Sequence, residues 1–142
     1  EDISNSFFVK NLRETEPRAV NFLLEYLKKN YNNPARVNIV VNVVKNCLTD
    51  YYKQILLMFL SLTQDKELFS KIEWCSSESI YSGDVNVGDI EATKWNNVLS
   101  IVNQSDLGYK LIPIKSYVNS NIEYWKRYAE AEKKRRFIQR DY

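Results

Sequence analysis

The sequence contains no histidine, and in 142 residues it has only three glycines, three prolines and two cysteines. The missing histidine excludes the commonest general base, the Ser-His-Asp and Cys-His nucleophile systems, and most zinc sites. So few glycines and prolines argue against many short strands joined by tight turns. Cys47 and Cys75 lack CxxC spacing, which predicts buried thiols rather than metal ligands or a redox pair.

Neither sign of charge dominates, because 20 basic residues stand against 18 acidic ones, for a net charge of +2. The total alone therefore implies neither a nucleic-acid partner nor a membrane partner. The densest apolar stretch, from Ile55 to Leu62, is far shorter than the roughly 20 residues of a membrane span, and no signal peptide opens the chain. These features predict a cytoplasmic protein. The chain starts with Glu1 instead of Met, which suggests a piece of a longer protein.

Hydrophobic residues make up 44% of the sequence and charged residues 27%, which is typical of one globular domain over residues 1–142. The apolar residues recur at helical spacing, and Asn, Asp, Thr and Pro punctuate the segments between them. Helices are predicted over about residues 3–13, 16–31, 34–48, 50–63, 65–72, 89–104 and 113–140. Thr49-Asp50 and Asp89 are predicted to cap two of them, and Pro113 to begin the last.

One segment is ambiguous, because Val37, Ile39, Val41 and Val43 also alternate as a strand would. The Asn-Pro start and the continued period through Leu48 favour a helix. Short connections between consecutive helices make them antiparallel neighbours. The sequence therefore predicts an all-α fold, either stacked antiparallel hairpins of a HEAT-like α-solenoid or a compact bundle with a long C-terminal helix.

The predicted core consists of residues on the periodic apolar faces of these helices. They are Leu24, Leu27, Val41, Val44, Ile55, Phe59, Leu60, Trp95, Leu99, Val118 and Trp125.

Residues 73–88 lack helical period and contain serines, a Gly-Asp turn signal, and the aromatic residues Trp74 and Tyr81. Two interpretations remain open. The loop is either an exposed recognition element that uses Trp74 and Tyr81, or an ordered plug whose aromatic side chains pack inward.

The positive charge is concentrated at the C-terminus, since residues 123–142 contain seven basic and four acidic residues. A nucleic-acid interpretation uses Lys133, Lys134, Arg135, Arg136 and Arg140 on phosphates, with Phe137 or Tyr142 stacking on a base. A solvated helix explains the same residues through favourable i,i+4 pairs. These pairs are Glu123/Arg127, Glu130/Lys134 and Glu132/Arg136.

The apolar stripe that begins at Ile114 thins beyond Ala129, so the helix from about Lys133 onward is expected to project into solvent. An emergent charged helix suits a connector to a protein partner or to a neighbouring domain of the parent chain. Its apolar contacts would be Phe137, Ile138 and Tyr142.

The aromatic loop from Trp74 to Gly83, the helix with Trp95, the Asp-Leu-Gly break and the long basic-ended helix resemble the C-terminal helical region of bacterial STAND-type P-loop NTPases. The likeness covers roughly the second half of the chain, and its motifs are loose. It implies a sensor or scaffold of helical repeats, in some members for antiviral (antiphage) defence. The sequence lacks G-x-x-x-x-G-K-[ST], so the resemblance implies a fragment without the nucleotide site.

No constellation of residues indicates catalysis. Asp84, Asp89 and Glu91 carry oxygen ligands, but they lack the alternating carboxylates of a calcium loop. We therefore expect no catalytic residue, no cofactor and no metal. The sequence predicts a non-catalytic scaffold or sensor for protein interaction, with a nucleic-acid-binding helical domain as the alternative.

Overall fold

The computed structural model describes residues 16–75 and 86–140. Within them the chain forms helices and no strand, which confirms the all-α class and the long C-terminal helix. The helices are α1 (Glu16–Asn30), α2 (Pro34–Asn46), α3 (Tyr52–Leu62), α4 (Lys66–Ser70), α5 (Val87–Asn103) and α6 (Ile112–Arg140). Short 3-10 turns at Thr49–Tyr51 and Gly108–Leu111 precede α3 and α6. The helix predicted over residues 3–13 lies outside the described residues.

The chain divides into two compact units, residues 1–73 and residues 74–142. In the first unit, the segment that also alternates as a strand would is helix α2. Asn33 caps it by accepting a hydrogen bond from the backbone N–H of Arg36, and Pro34 occupies its first turn. The valines at helical spacing are fully buried, so burial of one helical face overrides their strand propensity. They are Val37, Val40, Val41 and Val44.

Helix α3 is the central element of the first unit, as its all-round apolar sequence indicates. Ile55, Leu56, Phe59 and Leu60 are fully buried, and α1 packs against both α2 and α3. The prediction that Thr49-Asp50 caps this helix is wrong. Residues 49–51 form a 3-10 turn without a side-chain cap, because the tighter turn satisfies the first backbone groups itself.

Hydrogen bonds from α2 fasten the end of the first unit. The side-chain amide of Asn38 donates to the carbonyl of Lys71 at 3.4 Å, and its oxygen accepts from the backbone N–H of Glu73 at 2.8 Å. Lys45 Nζ donates to the carbonyl of Glu73 at 2.7 Å. The chain end after α4 is thus held by side chains on α2 that point away from the valine core.

The second unit is an antiparallel hairpin of α5 and α6. The Trp95 ring on α5 meets the Tyr117 ring edge-on, with centroids 5.8 Å apart. The buried residues of α6 recur every three or four positions, as a helix packed along one side requires. On α5 the buried apolar residues are Ala92, Trp95, Val98, Ile101 and Val102, and on α6 they are Ile114, Val118, Ile122 and Ala129.

The two helices approach closely where α5 begins. A Cβ atom at Gly88 would lie 2.6 Å from both the Ala129 nitrogen and the Trp125 carbonyl oxygen, so only glycine fits this crossing. The predicted cap at Asp89 is wrong, because Asn86 caps α5 by accepting from the Asp89 N–H at 3.2 Å. The Asn86 side chain also donates to the Ala129 carbonyl at 3.2 Å, a cross-helix contact that Asp89 does not offer.

The break between α5 and α6 is the one expected at Asp106-Leu107-Gly108. Gly108 adopts a φ of 60°, in the left-handed region that favours glycine. Helix α6 begins at Ile112, one residue before the predicted Pro113, which therefore sits in the first turn. In the described part of the chain, no helix has the length and apolar character needed to cross a membrane.

Most of the predicted core is buried, but Leu24, Leu99 and Trp125 are half-buried. The apolar periodicity predicts on which side of a helix a side chain lies. How much of that side chain is buried depends on how far the neighbouring helices extend over it. The cysteines also depart from the prediction. Cys47 and Cys75 are half-buried, because Cys47 lies at the C-terminal end of α2 and Cys75 just after the first unit.

Candidate interaction surface on helix α6

One exposed face of α6 combines aromatic, small and basic side chains. Its members recur at intervals of three and four residues, so they share one side of the helix. We call this set the outer face; it consists of Tyr124, Arg127, Tyr128, Ala131 and Lys134, and all of them are exposed.

The tyrosines of the outer face are held in place by Trp125. The Tyr124 and Trp125 ring centroids are 5.0 Å apart at 85°, and those of Trp125 and Tyr128 are 5.4 Å apart at 65°. Edge-to-face contacts of this kind stabilise an aromatic pair by about 0.5–1.5 kcal/mol. Tyr124 nevertheless remains 57% exposed and Tyr128 39% exposed. The result is a pair of aromatic side chains that contact Trp125 and that the fold does not bury.

The cations of the outer face border a recess over a small residue. Arg127, Ala131 and Lys134, together with Lys126 and Glu130, line an open recess of about 390 Å³. Arg127 and Lys134 form no ion pair with any described residue. The predicted pairs Glu123/Arg127 and Glu130/Lys134 are therefore not formed, since long exposed side chains gain little from such pairing. The recess thus presents the two cations Arg127 and Lys134 without an ion pair to a described residue, next to the single carboxylate of Glu130.

Two neighbouring cations behave differently. Lys133 Nζ lies 3.6 Å from a carboxylate oxygen of Glu130 and 3.7 Å from one of Asp89, at the start of α5. Arg135 donates to Glu132, and this hydrogen bond and the Glu132 charge raise the pKa of Arg135 above its ordinary value. Glu130/Lys133 and Glu132/Arg135 thus pair at a separation of three positions, whereas Lys133 and Asp89 pair across the two helices. Lys133 and Arg135 are compensated locally, whereas Arg127 and Lys134 are not.

The residues predicted from sequence as interaction sites are scattered. Trp74 is 2% exposed, as the inward-packing interpretation of its loop expects. Tyr81 and Tyr142 lie outside the described residues. The backbone is helical through Arg140, so the helix includes Phe137 and Ile138. The side chains that the structure describes end at Arg136. Lys133, Lys134, Arg135 and Arg136 all lie on α6, but only Lys134 belongs to the outer face.

Sequence reasoning missed Tyr124, Arg127, Tyr128 and Ala131. A signal for them was present, because Tyr124, Tyr128 and Ala131 follow a second stripe with 4-3 spacing beside the core stripe. Neither Tyr124 nor Tyr128 belongs to the predicted core or to the predicted interaction residues. Helix α5 covers the core stripe of α6, and the second stripe stays exposed.

Among the described residues, no cluster of three or more His, Cys, Asp or Glu side chains could hold a metal ion. Asp84 lies outside them. Glu91 is 1% exposed, and its carboxylate lies 3.4 Å from Lys94 Nζ. A buried carboxylate with a cationic neighbour is explained by that pairing. Comparison of the chain with protein-family models, curated proteins and solved structures found no match.

Proposed function

We propose that this chain is a non-catalytic helical module, a scaffold or sensor, that binds a protein partner through the outer face of α6. The observation that carries the proposal is the exposure of two ordered tyrosines, Tyr124 and Tyr128, beside the uncompensated cations Arg127 and Lys134. Tyrosine and arginine are the residue types that dominate binding energy at protein interfaces, together with tryptophan. Tyr124 and Tyr128, Arg127 and Trp125 bring all three residue types together on α6.

The ordering of the rings supports binding for an energetic reason. A flexible exposed side chain loses rotamer freedom when a partner covers it, at a cost of about 0.5–1.5 kcal/mol. The rings of Tyr124 and Tyr128 already contact Trp125 edge-on, and because such contacts favour the rotamers that form them, we expect a smaller loss of freedom when a partner covers these rings. A surface of this kind is prepared for binding before the partner arrives.

A nucleic-acid partner, the alternative predicted from the basic C-terminus, fits this surface less well. Phosphates need a row of cations, but Glu123 and Glu130 each lie one helical turn from a cation of the outer face.

The wider setting is part of the same proposal. The resemblance to the C-terminal helical region of STAND-type NTPases implies that the module serves a longer chain as a sensor or scaffold. Sequencing the gene upstream of Glu1 tests that setting: a P-loop encoded there would support it, and the absence of one would contradict it.

The test compares the variant Tyr124→Ser/Tyr128→Ser with the matched control Tyr109→Ser. Tyr109 is 78% exposed and lies in the 3-10 turn before α6. A protein captured from cells of the source organism is purified and its complex with the full chain is rebuilt from pure components. We expect the double variant to weaken the complex about tenfold or more, and the control to leave it unchanged.

Circular dichroism at the temperature of the binding assay checks that each variant is folded. The proposal is wrong if the rebuilt complex tolerates loss of both tyrosines, or if Tyr109→Ser weakens it as much. Salt-sensitive binding of single-stranded DNA or RNA that disappears with the tyrosines would instead establish the nucleic-acid alternative.

A further inference from the structure

We infer that the occupant of the outer face is an acidic amphipathic helix of another protein. The inference rests on the proposed function and names the partner's chemistry. It follows from the spacing of the tyrosines, from the position of the cations beside them, and from the charges that a second copy of this chain would bring.

A helical partner is indicated by the spacing of the exposed stripe. Tyr124, Tyr128, Ala131 and Arg135 are all exposed, and they follow one another at intervals of four and three residues. This is the a/d spacing of a coiled-coil seam, in which a second helix inserts its side chains between those of the first. Ala131 is small and exposed, so it provides a hole for such a side chain. A strand or a loop has no matching repeat.

The charge of the partner is indicated by the position that flanks the seam. Arg127 and Lys134 each directly precede a seam residue, Tyr128 and Arg135, and are therefore the g positions of successive heptads. Neither forms an ion pair with a described residue. A partner helix with carboxylates one heptad apart meets both cations at once. Glu123 and Glu130 lie at c positions, farther from the seam than the cations.

A second copy of this chain does not offer such carboxylates. In an antiparallel pair the g positions face each other, so Arg127 and Lys134 would meet the same cations of the other copy. In a parallel pair the g positions face e positions, of which the acidic one is Glu132. That side chain is only 15% exposed and already accepts a hydrogen bond from Arg135. The flanking charges thus oppose self-association and favour a different, acidic helix.

The test uses the full chain and a displayed library of amphipathic helical peptides. The flanking positions of the library are randomised over acidic, basic and neutral residues, and peptides that also bind the Tyr124→Ser/Tyr128→Ser variant are discarded. We expect the retained peptides to be enriched in Asp and Glu at positions one heptad apart. The same selection on Arg127→Glu/Lys134→Glu should enrich Lys and Arg instead.

The matched control is Lys53→Glu/Lys71→Glu, which changes the net charge equally at exposed lysines of the first unit. It should retain the acidic peptides, whereas Arg127→Glu/Lys134→Glu should bind them about tenfold or more weakly. Retained peptides without acidic bias overturn the inference and leave the proposed function intact. If no peptide distinguishes the wild type from the tyrosine variant, both the inference and the proposed function are wrong. A chain that dimerises through this face overturns the inference in favour of a second copy.

Discussion

The inner and outer faces of α6 are built on the same turns of one helix, yet they have opposite relations to the fold. The inner face buries Ile114, Val118, Ile122 and Ala129 against α5, and the backbones meet closely at Gly88. The outer face keeps aromatic rings exposed and leaves cations uncompensated. Stability explains the first set of residues and does not require the second. The proposed function assigns this second set of residues to partner binding.

Neighbouring isoleucines give the sharpest contrast between a packed and an unpacked position. Ile114 is fully buried and Ile112 is 61% exposed, although both lie in the first turns of α6. Ile114→Ala should lower the free energy of unfolding by about 2–5 kcal/mol, because it removes buried methyl groups and leaves a cavity. Ile112→Ala should change it by less than about 0.5 kcal/mol. Urea denaturation measures the unfolding free energy of both variants. Equal losses at the two positions would contradict the contrast between a packed and an unpacked isoleucine.

The close crossing of the inner face should be intolerant of even one methyl group. In Gly88→Ala the new Cβ meets backbone atoms of Trp125 and Ala129, which cannot rotate away as a side chain can. We expect a loss of about 1–3 kcal/mol in unfolding free energy, despite the better helix propensity of alanine. Thermal unfolding followed by circular dichroism measures it. A stabilised variant would show that the helices are farther apart than this crossing requires.

Asn86 links the cap of α5 to the inner face. Asn86→Ala should cost about 0.5–2 kcal/mol, since it removes both the cap on the Asp89 N–H and the hydrogen bond to Ala129. Asn97→Ala, at an exposed position of the same helix, serves as the control and should cost less than about 0.5 kcal/mol. A larger loss from Asn97→Ala than from Asn86→Ala in chemical denaturation would contradict this assignment.

The smallest effect on stability is expected beyond the last buried residue of the inner face. Lys133 forms only exposed ion pairs, each worth about 0–1 kcal/mol, and Ala129 is the last buried apolar residue described on α6. Deletion of residues 133–142 should therefore leave the melting temperature nearly unchanged in calorimetry. Because the deletion removes Lys134, it should also weaken the binding of acidic peptides. A deletion that unfolds the domain would show that this segment belongs to the core.

Much of this fold is predictable from the sequence, because the helices are long and strongly periodic. The Asn-Pro start of α2 and the spacing of Val37, Val40 and Val44 are sufficient to choose helix over strand. The cap of α5 is not predictable in the same way. Asn86 and Asp89 are both good cap residues, and the choice between them depends on the Ala129 carbonyl of a distant helix.

The candidate site was harder to predict than the fold. The basic residues near the C-terminus stand out in the sequence, but Lys133 and Arg135 are compensated by Glu130, Asp89 and Glu132 once the helix forms. The sequence predicts Arg127 only as the partner of Glu123, and it does not single out Tyr124 or Tyr128, because an exposed aromatic residue and a buried one look alike in a sequence. Only the position of α5 decides which of the two stripes on α6 is covered.

The most direct test of the outer face is to map a bound acidic helical peptide onto the full chain by NMR. With backbone amides assigned, titration of the peptide selected above should shift signals of residues 124–135 in α6. Signals of the buried valines in α2 should stay in place. The account is contradicted if the shifted signals cluster in the first unit or on α5, or if the peptide shifts the Tyr124→Ser/Tyr128→Ser variant equally.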